Sequence, residues 1–221
     1  HDRVSSQSRL LSTIAYDTGA ERAFALEGSI FMAGATMQWL RDSLGLFEQA
    51  EETEQLARSA KPSDVVFVPA FVGLGAPYWD PDARGAILGM TRDTGINELV
   101  AAALEASCFQ TCDLIEAMAS DTGVRPEIIR VDGGMANNRW FLQRLSDLTG
   151  CRVERPENVE TTALGASYLA AIGVGHLSGL RDVALAWRSA ASFEPSVSAD
   201  QRQSHFARWQ DAVGRIQTRA S

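Results

Sequence analysis

The sequence predicts an α/β domain in which a mixed sheet is flanked by helices. Short apolar runs rich in Val and Ile alternate with segments of helical periodicity. A glycine turn joins strand to helix most clearly at residues 128–138. Across 221 residues, 45% hydrophobic and 22% charged side chains are ordinary globular chemistry, enough for one large core.

The elements follow in order. Residues 10–16 and 22–26 read as two short strands joined by the turn DTGAE. SIFMAGATMQWLRDSLGL has Phe31, Ala35, Gln38, Trp39 and Asp42 at helical spacing, with Gly45 as its stop. A polar helix over roughly residues 48–60 leads to the strand VVFVPAF. The segment FVGLGAPYWDPDARG is an ordered loop, because Gly and Pro interrupt every period, and AILGM follows as a strand. INELVAAALEASCFQTCDLIEAMAS is the strongest helix, with Leu99, Ala103, Phe109, Cys112, Ile115 and Met118 along one side and DTG at its end. Strand IIRVD, helix NNRWFLQRLSDLTG, strand RVERP and helix TTALGASYLAAIG complete the alternation. Residues 1–188 are read as this domain. Residues 189–221 are read as a linker, FEPSVSADQRQ, and a final amphipathic helix packed on the domain, with Phe206, Trp209, Val213 and Ile216 on one face.

Charge and composition exclude several classes. A net charge of −8 argues against a nucleic-acid partner, whose footprint is a basic patch. No apolar run approaches the ~20 residues of a membrane span. HDRVSSQSR lacks a signal peptide's apolar stretch, and a cytoplasmic location is expected. The single lysine, Lys61, follows no glycine-rich loop, which disfavours P-loop and protein kinases, since both need a lysine at the phosphates. Cys108, Cys112 and Cys151 have no metal or redox spacing and read as buried thiols. No catalytic Ser-His-Asp set and no metal-ligand set stands out, and neither His176 nor His205 shares a motif with a nucleophile.

Three segments could carry chemistry. In IIRVDGGMANN an apolar strand ends at Asp132, two glycines turn, and a helix begins near Asn137 or Asn138. Glycines admit close approach of backbone to a ligand, and a helix N-terminus offers N–H groups and a positive dipole end. A plain strand–turn–helix corner capped by asparagine fits the same residues. In GSIFMAGATMQW, Gly34 and Gln38 set bare backbone beside an amide on one helix face, which suits a purine or ribose edge; close helix packing explains the glycine equally well. Asp80, Asp82 and Arg84 in GAPYWDPDARG fit a loop-stabilising network better than an anion or metal site.

Together these segments resemble the FGGY family of carbohydrate kinases. GAILGMTRDTGINELVAAALE fits the family's second signature, with FMAGATMQWLRD, RVDGGMANN and ALGASYLA extending the similarity from about residue 10 to residue 175. PAFVGLGAPYWDPDARGAILGMTR matches the glycerol-phosphorylating branch, whereas xylulose- and gluconate-directed members carry a GER-type loop there.

The resemblance implies an actin-like, ribonuclease-H-like domain, the second of two flanking a cleft, with ATP or ADP lying mostly against it. Mg2+ would be held mainly through the nucleotide's phosphates. Gly34 and Gln38 fall on the family's G-x-x-x-Q, and Gly134 and Asn138 on the second glycine of DGG and the asparagine four later. Those four are the expected nucleotide-binding residues. Glycerol would be held by the other, N-terminal domain, and a homo-oligomer is expected of the full-length protein. No GDQ-type aspartate and no YGTG-type hairpin occurs here, so no catalytic residue is assigned and the chain alone is expected to be inactive. The alternatives are the same half of another sugar or polyol kinase, or a non-catalytic module using Phe206 and Trp209 as a partner surface.

Overall fold

A computed structural model describes residues 4–19 and 21–218. Residue 20, in the DTGAE turn, and the outermost residues of the two expected segments, 1–3 and 219–221, lie outside the described residues.

β1 (Leu11–Asp17) and β2 (Arg22–Glu27) pair as an antiparallel hairpin. α1 (Gly34–Asp42) starts later than its periodicity suggests and buries Thr36, Met37 and Leu40. The set read at helical spacing is therefore split: Ala35, Gln38 and Asp42 are exposed, while Trp39 packs against Phe67 and Phe71 at the core's edge. Gly45 ends the segment at φ +64°, a left-handed backbone that glycine adopts without steric cost. α2 (Glu52–Ser59) is the polar helix. β3 (Val66–Val68) pairs antiparallel with β4 (Ala86–Leu88) across the long loop.

That loop is fastened by Asp80, which is buried. Its carboxylate accepts from the Thr218 N–H and hydroxyl, both at 2.7 Å, and from the N–H groups of Asp82 and Ala83. The Thr218 bonds hold this carboxyl down to about 2. Arg84 donates to the carbonyls of Pro81 and Ala83. Within the loop the bonds follow its turn chemistry, and Thr218 and Arg9 tie it to the two ends of the chain.

α3 (Ile96–Thr122) is the centre of the fold, with fifteen buried residues spread around most of its circumference. Glu98, in its first turn, accepts from the N–H groups of Gly95 and Lys61. Gly123, at φ +69°, closes its last turn. β5 (Ile128–Arg130), β6 (Arg152–Pro156) and β7 (Ser189–Phe193) form a mixed sheet in the order β5-β6-β7, parallel then antiparallel. The strands thus divide among three sheets. α4 (Arg139–Thr149), α5 (Thr161–Gly173), α6 (Leu180–Ala186) and α7 (Ala199–Ile216) complete the chain.

Two readings of the C-terminal part are corrected. Residues 189–193, expected as linker, are β7, paired with β6 from Phe193 to Ser189. The partner-surface alternative loses its main residue, because Trp209 is fully buried and stacks on Phe109 with centroids 5.4 Å apart. Its indole donates to Asp113 at 2.8 Å. The final helix docks on its own domain because burying Trp209, Ala212 and Val213 removes the largest apolar stripe of α7 from water. Cys108, Cys112 and Cys151 are free and buried, and burial pushes the Cys112 thiol up to about 12.

Candidate functional site

All four residues singled out for nucleotide binding line one cavity of about 770 Å³. α1 supplies one wall. Its inward stripe of Thr36, Met37 and Leu40 turns Gly34, Gln38 and Arg41 toward the cavity, three positions that share a face at helical spacing. The glycine corner after β5 supplies the opposite wall with Asp132, Gly134, Met135, Asn137 and Asn138. The walls approach each other at Gly34, where an added Cβ would lie 3.9 Å from the Met135 sulfur. The space is apolar at its base, where Phe47, Met37 and Leu104 line it.

Gly133 stands at φ +76°, so the sharp turn depends on glycine there. Gly134 opens a 3₁₀ turn over Gly134–Asn137, and an added Cβ would meet nothing within 4 Å. Its backbone is bare toward open space, which is the room a ligand would need.

The helix start lies at Arg139, with Asn138 as its cap. One expectation changes here. The first turn of α4 does not present all of its N–H groups, because two are already used. The Asn138 side-chain amide oxygen accepts from Phe141 N–H at 2.9 Å, and a Glu54 carboxylate oxygen accepts from Arg139 N–H at 2.9 Å. Asp132 is also engaged, accepting from the Thr161 hydroxyl.

Sequence reading missed the third wall. α2 and the turn before it bring Ala50, Glu51, Thr53 and Glu54 to the cavity. Thr53 is buried, accepts from the Asn138 amide at 3.2 Å and donates to the Ala50 carbonyl at 2.6 Å. Burial alone would raise the Glu54 carboxyl, but the Arg58 guanidinium and the Arg139 N–H together hold it below its ordinary value. Arg41 carried a usable signal, being three residues beyond Gln38 on the Gly34 face. Thr53 and Glu54 carried none, lying in a polar helix with no motif.

Two other cavities, of about 740 and 690 Å³, contain none of the four residues. Among the described residues, no group of three or more His, Cys, Asp or Glu could hold a metal ion, and no helix is long and apolar enough to cross a membrane.

Residues 3–174 match the FGGY family of carbohydrate kinases, C-terminal domain. The chain belongs to this family. It is 53% identical over 216 residues to a glycerol kinase of Alcanivorax borkumensis, covering 97% of this chain and 44% of that protein. Among solved structures it is similar to Plasmodium falciparum glycerol kinase with ADP, at TM-score 0.90 and 34% identity, covering 99% of this chain and 44% of the other. A xylulose kinase from Lactobacillus acidophilus matches at TM-score 0.84 and 21% identity, covering 98% and 44%, which establishes the shared fold alone. The expected actin-like, ribonuclease-H-like class is therefore the fold of this FGGY chain. The chain spans less than half the length of the relatives it matches.

Proposed function

We propose that this chain is the nucleotide-binding half of a kinase that transfers the γ-phosphoryl group of ATP to glycerol. The observation that carries the reading is the convergence of Gly34, Gln38, Gly134 and Asn138, from motifs a hundred residues apart, on one cavity. Its volume is within the range of small-molecule pockets, about 300–1,000 Å³. Glycerol is favoured over another polyol by the identity to proteins named glycerol kinase and by the GAPYWDPDARG loop.

In this reading Gly34 and Gly134 contribute by having no side chain, letting adenosine lie against backbone on both walls. Gln38 and Arg41 are the polar groups of the α1 wall. The apolar base of Met37, Phe47 and Leu104 suits a purine face. Magnesium enters only as the companion of the phosphates, since it binds through few protein ligands and substrate oxygens. Phosphoryl transfer is mostly positioning and charge neutralisation, so a chain holding nucleotide alone is expected to be catalytically silent.

Titration calorimetry with ADP tests the binding. Heat saturating in the micromolar to millimolar range supports the reading; a folded chain that gives no heat overturns it. In the full-length protein carrying this chain, Gly134→Leu is expected to raise the ATP KM by about tenfold or more, because the side chain fills the open space beside the turn. An unchanged value removes Gly134 from the site.

A further inference from the structure

We infer that Thr53 and Glu54 of α2 are positioning residues for the nucleotide cavity, clamping the α2 wall onto the start of α4. This rests on the nucleotide reading of the cavity and goes beyond it by assigning a function to residues that no family motif marks.

The clamp has two points. Asn138 uses both ends of its amide: the oxygen caps α4 through Phe141 N–H, and the nitrogen donates to the Thr53 hydroxyl at 3.2 Å. The hydroxyl's own hydrogen goes to the Ala50 carbonyl at 2.6 Å, which leaves it none to offer a ligand. One residue on, Glu54 accepts from Arg139 N–H at 2.9 Å and is held from behind by Arg58 at 2.7 Å. Residues 85 apart in sequence are thereby joined twice within one helical turn.

Thr53 is 4% exposed and Asn138 half-buried, so the bond between them is partly shielded from water and its loss leaves the Asn138 amide nitrogen short of a partner. The cap bond from Asn138 to Phe141 fixes α4; the bond from Asn138 to Thr53 fixes α2 relative to it. The cavity's width therefore depends on Thr53 although the hydroxyl has no donor free for the nucleotide. α2 itself is eight residues long, too short to hold a helical shape without such anchoring.

The test uses steady-state kinetics of the full-length protein with Thr53→Val, Thr53→Ser, Asn138→Asp and the Thr53→Val/Asn138→Asp pair, beside Gly134→Leu. Thr53→Val keeps the shape and removes the hydroxyl; Asn138→Asp keeps the cap oxygen and removes the donor. Each is expected to raise the ATP KM by about three- to tenfold, the worth of about one hydrogen bond, with the glycerol KM unmoved and kcat changing less than KM. Thr53→Ser should restore the wild-type ATP KM to within about twofold, because it returns the hydroxyl. Because Asn138 itself borders the nucleotide, the double variant should be no worse than Asn138→Asp alone, since Thr53→Val then removes a bond that is already broken. Additive effects overturn the clamp. So does an unchanged ATP KM for Thr53→Val when Gly134→Leu raises it, an outcome that leaves the cavity reading standing. If Gly134→Leu has no effect either, the cavity reading fails and takes the clamp with it. A Thr53→Val protein that lowers kcat and raises both KM values together marks Thr53 as a general packing residue, also against the clamp.

Discussion

α3 and α5 are both apolar helices, and they meet opposite fates. α3 buries fifteen residues against α1, α2, α4, α7 and β3, while α5, with the run TTALGASYLAAIG, buries none. Leu104 on α3 is 1% exposed and Leu169 on α5 is 42% exposed. The same side chain in the same secondary structure differs only in whether a partner covers it. Composition and periodicity make a helix legible, but stabilisation comes from area removed from water, and that requires a second surface. Among the described residues α5 is covered only in part, along the half-buried stripe Leu164, Tyr168 and Ile172.

The largest effect that sharpens this contrast is Leu104→Ala. Leu104 is almost wholly buried where it floors the cavity, and truncating it should cost about 2–5 kcal/mol, read as a lowered denaturant midpoint with unchanged slope. A cost under about 1 kcal/mol would mean that α3 is not the rigid centre its burial describes.

The next effect tests the polar seam on the same helix. Asp113 is buried beneath α7, and burial raises its carboxyl to about 7 from an ordinary 3.8, with the Trp209 and Tyr78 donors pulling down and Glu116 adding to the rise. The folded state thus holds this proton more tightly than the unfolded chain. Its contribution to stability is full below pH 3.8 and is lost as the pH rises through about 7. Asp113→Asn, which keeps an oxygen for the Trp209 indole, should flatten the stability profile in that window by about 1 kcal/mol per pH unit. Denaturation midpoints at pH 5 and pH 7.5 measure it; parallel profiles for the two proteins would contradict the buried-carboxyl account. Asp80 works the other way, its carboxyl held near 2 by Thr218, so its contribution is lost only in stronger acid.

The same division governs what was legible. Where a local rule sets the outcome, sequence reading reached it: the Gly123 stop of α3, the Asn138 cap of α4, and the turn bonds from Asp82 and Ala83 to Asp80, though not its link to Thr218. The four cavity residues were legible through motif resemblance, since spacing alone left a plain corner and a packing glycine open. What tertiary pairing decides stayed hidden. SAASF has no apolar alternation, yet it becomes β7 because β6 offers it a free edge. Residues 29–33 carry the α1 periodicity, yet the helix begins only at Gly34. Thr53 and Glu54 lie on a helix that reads as a solvated connector, and the contacts that matter are made 85 residues away. No window of local sequence contains both partners.

The smallest expected effect completes the comparison. Leu169→Ala, chemically identical to Leu104→Ala, should change the stability of this chain by no more than about 0.5 kcal/mol, because a side chain already facing water leaves no cavity. Backbone amides of α5 should exchange with solvent far faster than those of α3, since a 13-residue helix with no fully buried side chain is marginal in water. Hydrogen exchange followed by mass spectrometry reads both helices in one experiment. Equal protection of α5 and α3 would show that the apolar run finds cover within these residues, and a Leu169→Ala cost near that of Leu104→Ala would show the same from energetics. The pair of leucines therefore separates two causes that composition merges: being apolar, which both are, and being covered, which Leu104 is and Leu169 is not.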